Sequence, residues 1–148
     1  MKKITLIALF VFFAVGLKAQ ILNPVKWSYG SKKINSKEAV VFLKATIQPG
    51  WHIYSQFVKE GGPVPTSFTY AASKEFSLNG KTVEPKPISK FEETFGMNVS
   101  YFENSVVFQQ KVKLNGKSAT VKGTLEFMVC NDKQCLPPDE VSFSIPVK

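Results

Sequence analysis

A period of two constrains this chain more than any other feature. From residue 39 onward, apolar and β-branched residues recur in short runs that often alternate with polar ones, and turn residues close them. No stretch of the mature chain holds a helical period over three turns. Residues 39–47 read as a strand that ends at Gln48, Pro49 and Gly50. Residues 51–57 read as a second, with Trp51, Ile53, Ser55 and Phe57 on one face and His52, Tyr54 and Gln56 on the other. After a break at Gly61, Gly62, Pro63 and Pro65, residues 66–70 resume strand character. Residues 83–90 hold Pro85 and Pro87, which excludes a central strand. Residues 105–114 form a strong strand closed by Asn115 and Gly116, a hairpin-type pair. Residues 119–129, with Val121, Gly123, Leu125 and Phe127 on one side, and residues 141–147 complete the series. Roughly seven to nine short strands predict an all-β fold, an antiparallel β-sandwich.

The N-terminus belongs to a different regime. Lys2 and Lys3 precede an uncharged apolar stretch from Ile4 to Leu17, and Lys18 and Ala19 stand before Gln20. This is the pattern of a secretory signal peptide, residues 1–19, cleaved after Ala19. The apolar run falls short of the ~20 residues that a spanning helix needs. Residues 20–148 are expected to form a single domain with its own core. No cysteine follows the leader to carry a lipid, and no later segment is apolar enough to cross a bilayer. The expected product is therefore exported, without membrane insertion after cleavage. Its basic residues are all lysine, and they are scattered. Arginine, the preferred reader of bases, is absent, so the charge reads as a solvated surface and not as a nucleic-acid interface.

Cys130 and Cys135 are the only cysteines, and Leu136, Pro137 and Pro138 follow at once. An oxidising compartment lets such a pair persist as a disulfide. Bridged Cα atoms lie ~4.4–6.8 Å apart, whereas an extended run of this length spans roughly 16 Å. A bonded pair therefore requires a turn, at the sandwich end where the last two strands meet. Two uses stay open on these residues alone. As a staple, so short a loop contributes only ~2 kcal/mol, against nearly 5 for a loop of about 100 residues. As a tool, a disulfide in a terminal turn is open to a partner thiolate and can exchange through a mixed disulfide. Pro137 and Pro138 are expected to hold the turn open instead of zipped into a ladder. Lys133 favours a thiolate there and Asp132 opposes it. A third use, a copper or zinc site of Cys130, Cys135 and His52 with Met97 or Met128, suits ligand softness. Four-residue spacing with one distant histidine is weak support for it, and no metal is expected. No Ser-His-Asp set, phosphate-binding Gly loop or recurrent carboxylate motif is present, and Glu92 with Glu93 reads as a solvated loop.

Three segments, in order, resemble the N-terminal periplasmic domain of the thiol:disulfide interchange protein DsbD family. Cys130 and Cys135 with Leu136, Pro137 and Pro138 resemble its Cys-x(n)-Cys-apolar-Pro-Pro signature. Pro49, Gly50, Trp51, His52, Ile53 and Tyr54 are similar to its Gly-aromatic-aromatic-x-Tyr strand. Phe91, Glu92, Glu93, Thr94, Phe95 and Gly96, with Tyr101 beyond, resemble its acidic-aromatic-Gly cap loop. The resemblance implies an immunoglobulin-like antiparallel β-sandwich with a cysteine-bearing hairpin near the C-terminus. It implies a thiol:disulfide oxidoreductase domain without a bound cofactor, passing electrons to disulfide-bonded partners, with cytochrome c maturation among the processes served. Cys135 would be the nucleophile and Cys130 the resolving thiol. Phe91, Glu92, Glu93, Thr94, Phe95 and Gly96 would cap the disulfide, with His52, Tyr54 and Pro137 lining the site. Thioredoxin-like periplasmic proteins and a separate membrane electron transporter are the implied partners. This chain departs from the family pattern in its shorter cysteine spacing and in Thr94, which stands where the cap carries its Phe. It also places His52 at a usual Tyr position, which predicts thiol reactivity that depends on pH near neutrality. The alternative function is a non-catalytic β-sandwich adaptor or ligand-binding module with a structural disulfide.

Overall fold

Alternation becomes pairing in the computed structural model, which describes residues 22–148; the expected signal peptide lies outside the described residues. The chain runs through β1 (Val25–Lys33), β2 (Glu38–Ile47), β3 (His52–Tyr54), β4 (Ser67–Tyr70), β5 (Phe76–Leu78) and β6 (Ile88–Glu92). It continues through β7 (Met97–Glu103), β8 (Ser105–Leu114), β9 (Ala119–Phe127), β10 (Val129–Cys130) and β11 (Asp139–Val147). One sheet has the order β1-β2-β8-β5, a second β11-β9-β4, and a third β10-β3-β7-β6. Every pairing is antiparallel.

The first two sheets face each other across the main core. Val41 and Leu43 of β2, Phe108 and Val112 of β8, Val121 and Leu125 of β9, and Ile145 of β11 belong to one buried cluster. Each such side chain contributes about 1.5–3 kcal/mol of transfer free energy. Trp27 of β1 ties the layers together, with its ring 6.5 Å from Phe68, 6.1 Å from Phe108 and 5.5 Å from Phe127. Gly123 has a steric reason. A Cβ there would lie 2.2 Å from the Thr69 carbonyl oxygen and 2.7 Å from Phe143 Cζ, so any side chain would push β4 off β9.

Several expectations are corrected by this topology. Asn115 and Gly116 do not close a hairpin. β8 pairs with β2 and β5 while β9 pairs with β4 and β11, so the connection crosses between sheets. The Asn115 amide donates to the Glu75 carbonyl (2.8 Å) and its side chain to the Lys74 carbonyl (2.9 Å), anchoring that corner. The strand expected over residues 51–57 stops at Tyr54; the Ser55 amide still reaches the Ser100 carbonyl, but from Gln56 the backbone donors turn to side chains. The Ser55 hydroxyl, the Gln56 backbone amide and the Gln56 side-chain amide all donate to the Glu84 carboxylate. Phe57 is consequently 69% exposed and does not join Ile53 in the core. Residues 119–129 are two strands. β9 ends at Phe127, opposite Asp139 of β11, and past Met128 the chain shifts to β3 of the third sheet. Pro85 and Pro87 do lie outside any central strand, since they precede β6 at a sheet edge.

Candidate functional site

The third sheet uses its two faces differently, and register explains how. Val129 of β10, Ile53 of β3 and Phe102 of β7 lie side by side and join the main core. The next row, Cys130, His52 and Glu103, points the other way, because successive strand residues alternate. Tyr54 and Tyr101 form a further row of that outer face.

The cysteines sit on a tight hairpin. Asn131 Oδ1 accepts the backbone amides of Lys133 and Gln134, both at 2.8 Å, which bends the chain. The Asn131 amide donates to the Gln134 carbonyl (2.8 Å) and the Leu136 amide to the Val129 carbonyl (2.9 Å). Cys130 and Cys135 face each other between these rungs and are disulfide-bonded, with Cα atoms 4.0 Å apart. The turn is thus zipped, contrary to expectation, because Pro137 and Pro138 come only after the last rung. The two half-cystines have unequal access: Cys130 is 2% exposed, whereas Cys135 is exposed.

A cleft of about 580 Å³ opens over the disulfide. His52, Tyr101, Glu103 and Cys130 line it from the sheet, Lys90, Phe91, Glu92, Glu93 and Thr94 from β6 and its turn, and residues 131–135 from the hairpin. The segment expected as a cap loop is mostly a β-hairpin. Phe91 and Glu92 finish β6, and residues 93–96 form the turn into β7. Gly96 has φ +63°, the left-handed conformation suited to glycine, and its amide donates to the Glu92 carbonyl at 2.9 Å. Phe91 is 55% exposed at the cleft. Phe95 turns beneath, packing on a small core of Tyr54, Val99, Tyr101 and Cys130 that Met97 and Met128 also cover. Thr94, not Phe95, therefore lines the cleft, while Gly96, Tyr54 and Pro137 lie outside its lining. Among the described residues no group of three or more His, Cys, Asp and Glu could hold a metal.

His52, Tyr54 and Glu92 form the polar centre. The Tyr54 hydroxyl donates to Glu92 Oε2 (3.2 Å), and His52 Nε2 lies 3.1 Å from Tyr54 Oη and 3.3 Å from Glu92 Oε1. Burial lowers the His52 pKa, opposed by the charges of Glu92, Glu103 and Asp132. Burial and the Glu92 carboxylate push the Tyr54 phenol far above its ordinary value, so it stays a donor. Tyr101 is raised by burial first, then by Glu103, Glu92 and Asp132. Sequence reasoning missed Glu103 and Lys90 and named Tyr101 only in passing. The usable signal was the spacing of two through Val99, Tyr101 and Glu103 after Gly96.

The fold is an immunoglobulin-like antiparallel sandwich whose added sheet presents a cystine hairpin in an open cleft. The chain belongs to the DsbD N-terminal family: the family model described as "Thiol:disulfide interchange protein DsbD, N-terminal" matches residues 19–146. That family takes part in thiol–disulfide exchange with partners. Among solved structures, the reduced DsbD N-terminal domain of Neisseria meningitidis is similar at TM-score 0.53 and 15% identity, over 79% of this chain and 82% of that one. The N-terminal periplasmic domain of ScsB from Proteus mirabilis is similar at TM-score 0.61 and 19% identity, over 88% of this chain and 49% of that one. A complex between the DsbD and PilB N-terminal domains of Neisseria meningitidis contains a chain similar at TM-score 0.55 and 15% identity, over 84% of this chain and 87% of that one. At these identities the structural likeness speaks to the fold. No curated protein sequence matches the chain.

Proposed function

We propose that residues 20–148 form a periplasmic thiol–disulfide exchange module that relays electrons to disulfide-bonded partner proteins through Cys130 and Cys135. In the reduced module the Cys135 thiolate attacks a partner disulfide, forming a mixed disulfide and releasing one partner thiol. Cys130 then attacks Cys135 Sγ, closing the Cys130–Cys135 bond and releasing the second partner thiol. The partner gains two electrons and the module loses two. A thioredoxin-like periplasmic protein or a separate membrane electron transporter restores the dithiol, and cytochrome c maturation is one process such a relay serves. No bound cofactor takes part.

The observation that carries this reading is the unequal access of the two sulfurs. Exchange needs one sulfur that a partner can reach and one that waits, and exposed Cys135 with buried Cys130 meets both needs. The Neisseria complex between the DsbD and PilB N-terminal domains supports a protein partner for this fold. Phe91, Glu92, Glu93 and Thr94 stand where they would limit access by small oxidants. Phe95 and Gly96 shape the turn that holds them.

Cys130→Ala leaves the attacking thiol without its resolver, so it should accumulate a mixed disulfide with a thioredoxin-like protein in periplasmic extract. Capture by neither single-cysteine variant would overturn the relay. The zipped hairpin favours one other reading, an adaptor or ligand-binding module with a structural disulfide. The reduction potential separates the two: below about −300 mV the bond is structural, and well above it the bond is a working one.

A further inference from the structure

We infer that His52 is the proton acceptor for the resolving thiol of Cys130. The inference rests on the exchange reading above and adds a residue to it. Resolution requires Cys130 as a thiolate, because the thiol is a poor nucleophile. Yet Cys130 is 2% exposed, so little of its surface meets bulk water and an acceptor held beside it takes the proton more readily.

His52 stands directly opposite Cys130 across the β3–β10 ladder. Directly opposed residues project from the same face with Cβ atoms roughly 4.5–5.5 Å apart. His52, Cys130 and Cys135 also line one cleft. The other groups facing this point are poor acceptors. Tyr54 and Tyr101 are held as neutral phenols, and Lys90 and Lys133 are cations at the cleft wall. Glu92 of β6, Glu103 of β7 and Asp132 of the hairpin turn instead act on His52, their charges favouring the imidazole that has taken up a proton. An imidazole matches a thiol far better, and His52 is the only histidine in the sequence.

The hydrogen bonds also select the tautomer. Tyr54 donates its hydroxyl hydrogen to Glu92, so Tyr54 Oη and Glu92 Oε1 both face His52 Nε2 as acceptors. The neutral ring then carries its hydrogen on Nε2, which leaves the Nδ1 lone pair free. Burial favours that neutral ring in the resting state.

In the step itself, the Cys130 S–H bond breaks and its proton moves to His52 as the sulfur electron pair attacks Cys135 Sγ. The Cys130–Cys135 bond forms, the bond from Cys135 to the partner sulfur breaks, and the departing thiolate takes the proton back from the imidazolium. The dithiol is oxidised by two electrons and the partner disulfide is reduced by two.

The test mixes reduced protein with one equivalent of an aromatic disulfide that releases coloured thionitrobenzoate at each step. The first release reports attack by Cys135 and the second reports resolution by Cys130. In His52→Gln the second phase should slow by about a hundredfold relative to the first, the low end of general-base effects. Its pH inflection should move up toward the ionisation of the buried thiol itself. Glu92→Gln keeps the imidazole but removes a charge that raises its pKa, so there the inflection should move down. A second phase in His52→Gln with the wild-type rate and inflection would overturn the inference. So would equal slowing of both phases with no shift in either profile. If the wild-type dithiol gives no second phase, or Cys135→Ala gives the first phase at full rate, the relay reading itself falls and this inference goes with it.

Discussion

The two faces of the third sheet are carried by the same three of its four strands, β3, β7 and β10, and do opposite things. Inward, Ile53, Phe102 and Val129 extend the sandwich interior, where apolar side chains meet apolar side chains. The one large polar side chain fully buried there, Gln110, is satisfied by Thr82, Gly80 and Lys111. Outward, the buried set is Tyr54, Val99, Tyr101 and Cys130, so phenol hydroxyls and a disulfide sulfur make up most of its functional groups. Above that set lie an imidazole and several carboxylates. Under the proposed exchange, stability and site chemistry are separated by one residue of register. Ile53 serves the fold, and its neighbours His52 and Tyr54 serve the site.

The largest expected effect tests whether that separation is real. Phe108 is fully buried in the main core, with ring centroids 4.9 Å from Phe68 and 5.8 Å from Phe102. Phe108→Ala should lower unfolding free energy by about 3–5 kcal/mol in a denaturant titration. Thiol-exchange rate per folded molecule should stay at the wild-type level. A variant that folds but exchanges slowly would break the comparison, because the core would then be tuning the site.

Next in size is the disulfide. Reducing it removes a short loop closure, so the oxidised protein should exceed the reduced one by only ~2 kcal/mol in the same titration. Exchange should be abolished in the Cys135→Ala variant all the same. A difference above about 4 kcal/mol would move Cys130 and Cys135 from the site to the fold, and the structural reading of the pair would gain.

The sequence exposed these two roles unequally. Strands β2, β8, β9 and β11 were legible because each sets strong apolar residues on a face that meets the main core. β1 was not, since its run from Val25 to Lys33 is largely polar and lies at a sheet edge. The third sheet was hidden for a different reason. Its strands β3 and β10 are three and two residues long, and β10 pairs with β3 while β3 pairs with β7, so the sheet appears only when all three meet. The crossing at Asn115 and Gly116 was misread because local turn chemistry does not report which sheet a strand joins. At the site, His52, Tyr54, Glu92 and the cysteines were legible as residue types, through resemblance. What could not be read was that Phe95 packs beneath while Thr94 and Phe91 face the cleft, a matter of side-chain direction in a four-residue turn.

A smaller effect sharpens the outward face. Tyr54→Phe keeps the buried ring and its edge-on contact with Phe95 at 6.3 Å. It removes the hydroxyl shared by Glu92 and His52. The expected loss is ~1–2 kcal/mol, in the range of one hydrogen bond to a charged group. Main-core probes such as Trp27 fluorescence should be unchanged. An equal perturbation of Trp27 would mean that the two faces communicate.

The smallest effect is a slope. Burial depresses the His52 pKa below its ordinary value of 6.5, so the unfolded chain binds more protons than the folded one just below that pH. Stability should therefore rise with pH through the window below 6.5 and be lost as acid protonates the folded imidazole. Denaturant midpoints of the oxidised protein, taken from neutral pH down to about 5, measure it; lower still, carboxylates titrate and obscure the term. His52→Gln should flatten this slope, and Glu92→Gln should steepen it by removing an opposing charge. A slope of opposite sign in the wild type would mean that Glu92, Glu103 and Asp132 outweigh burial. The outward face would then hold an imidazolium at rest, and His52 would no longer be free to accept a proton from Cys130.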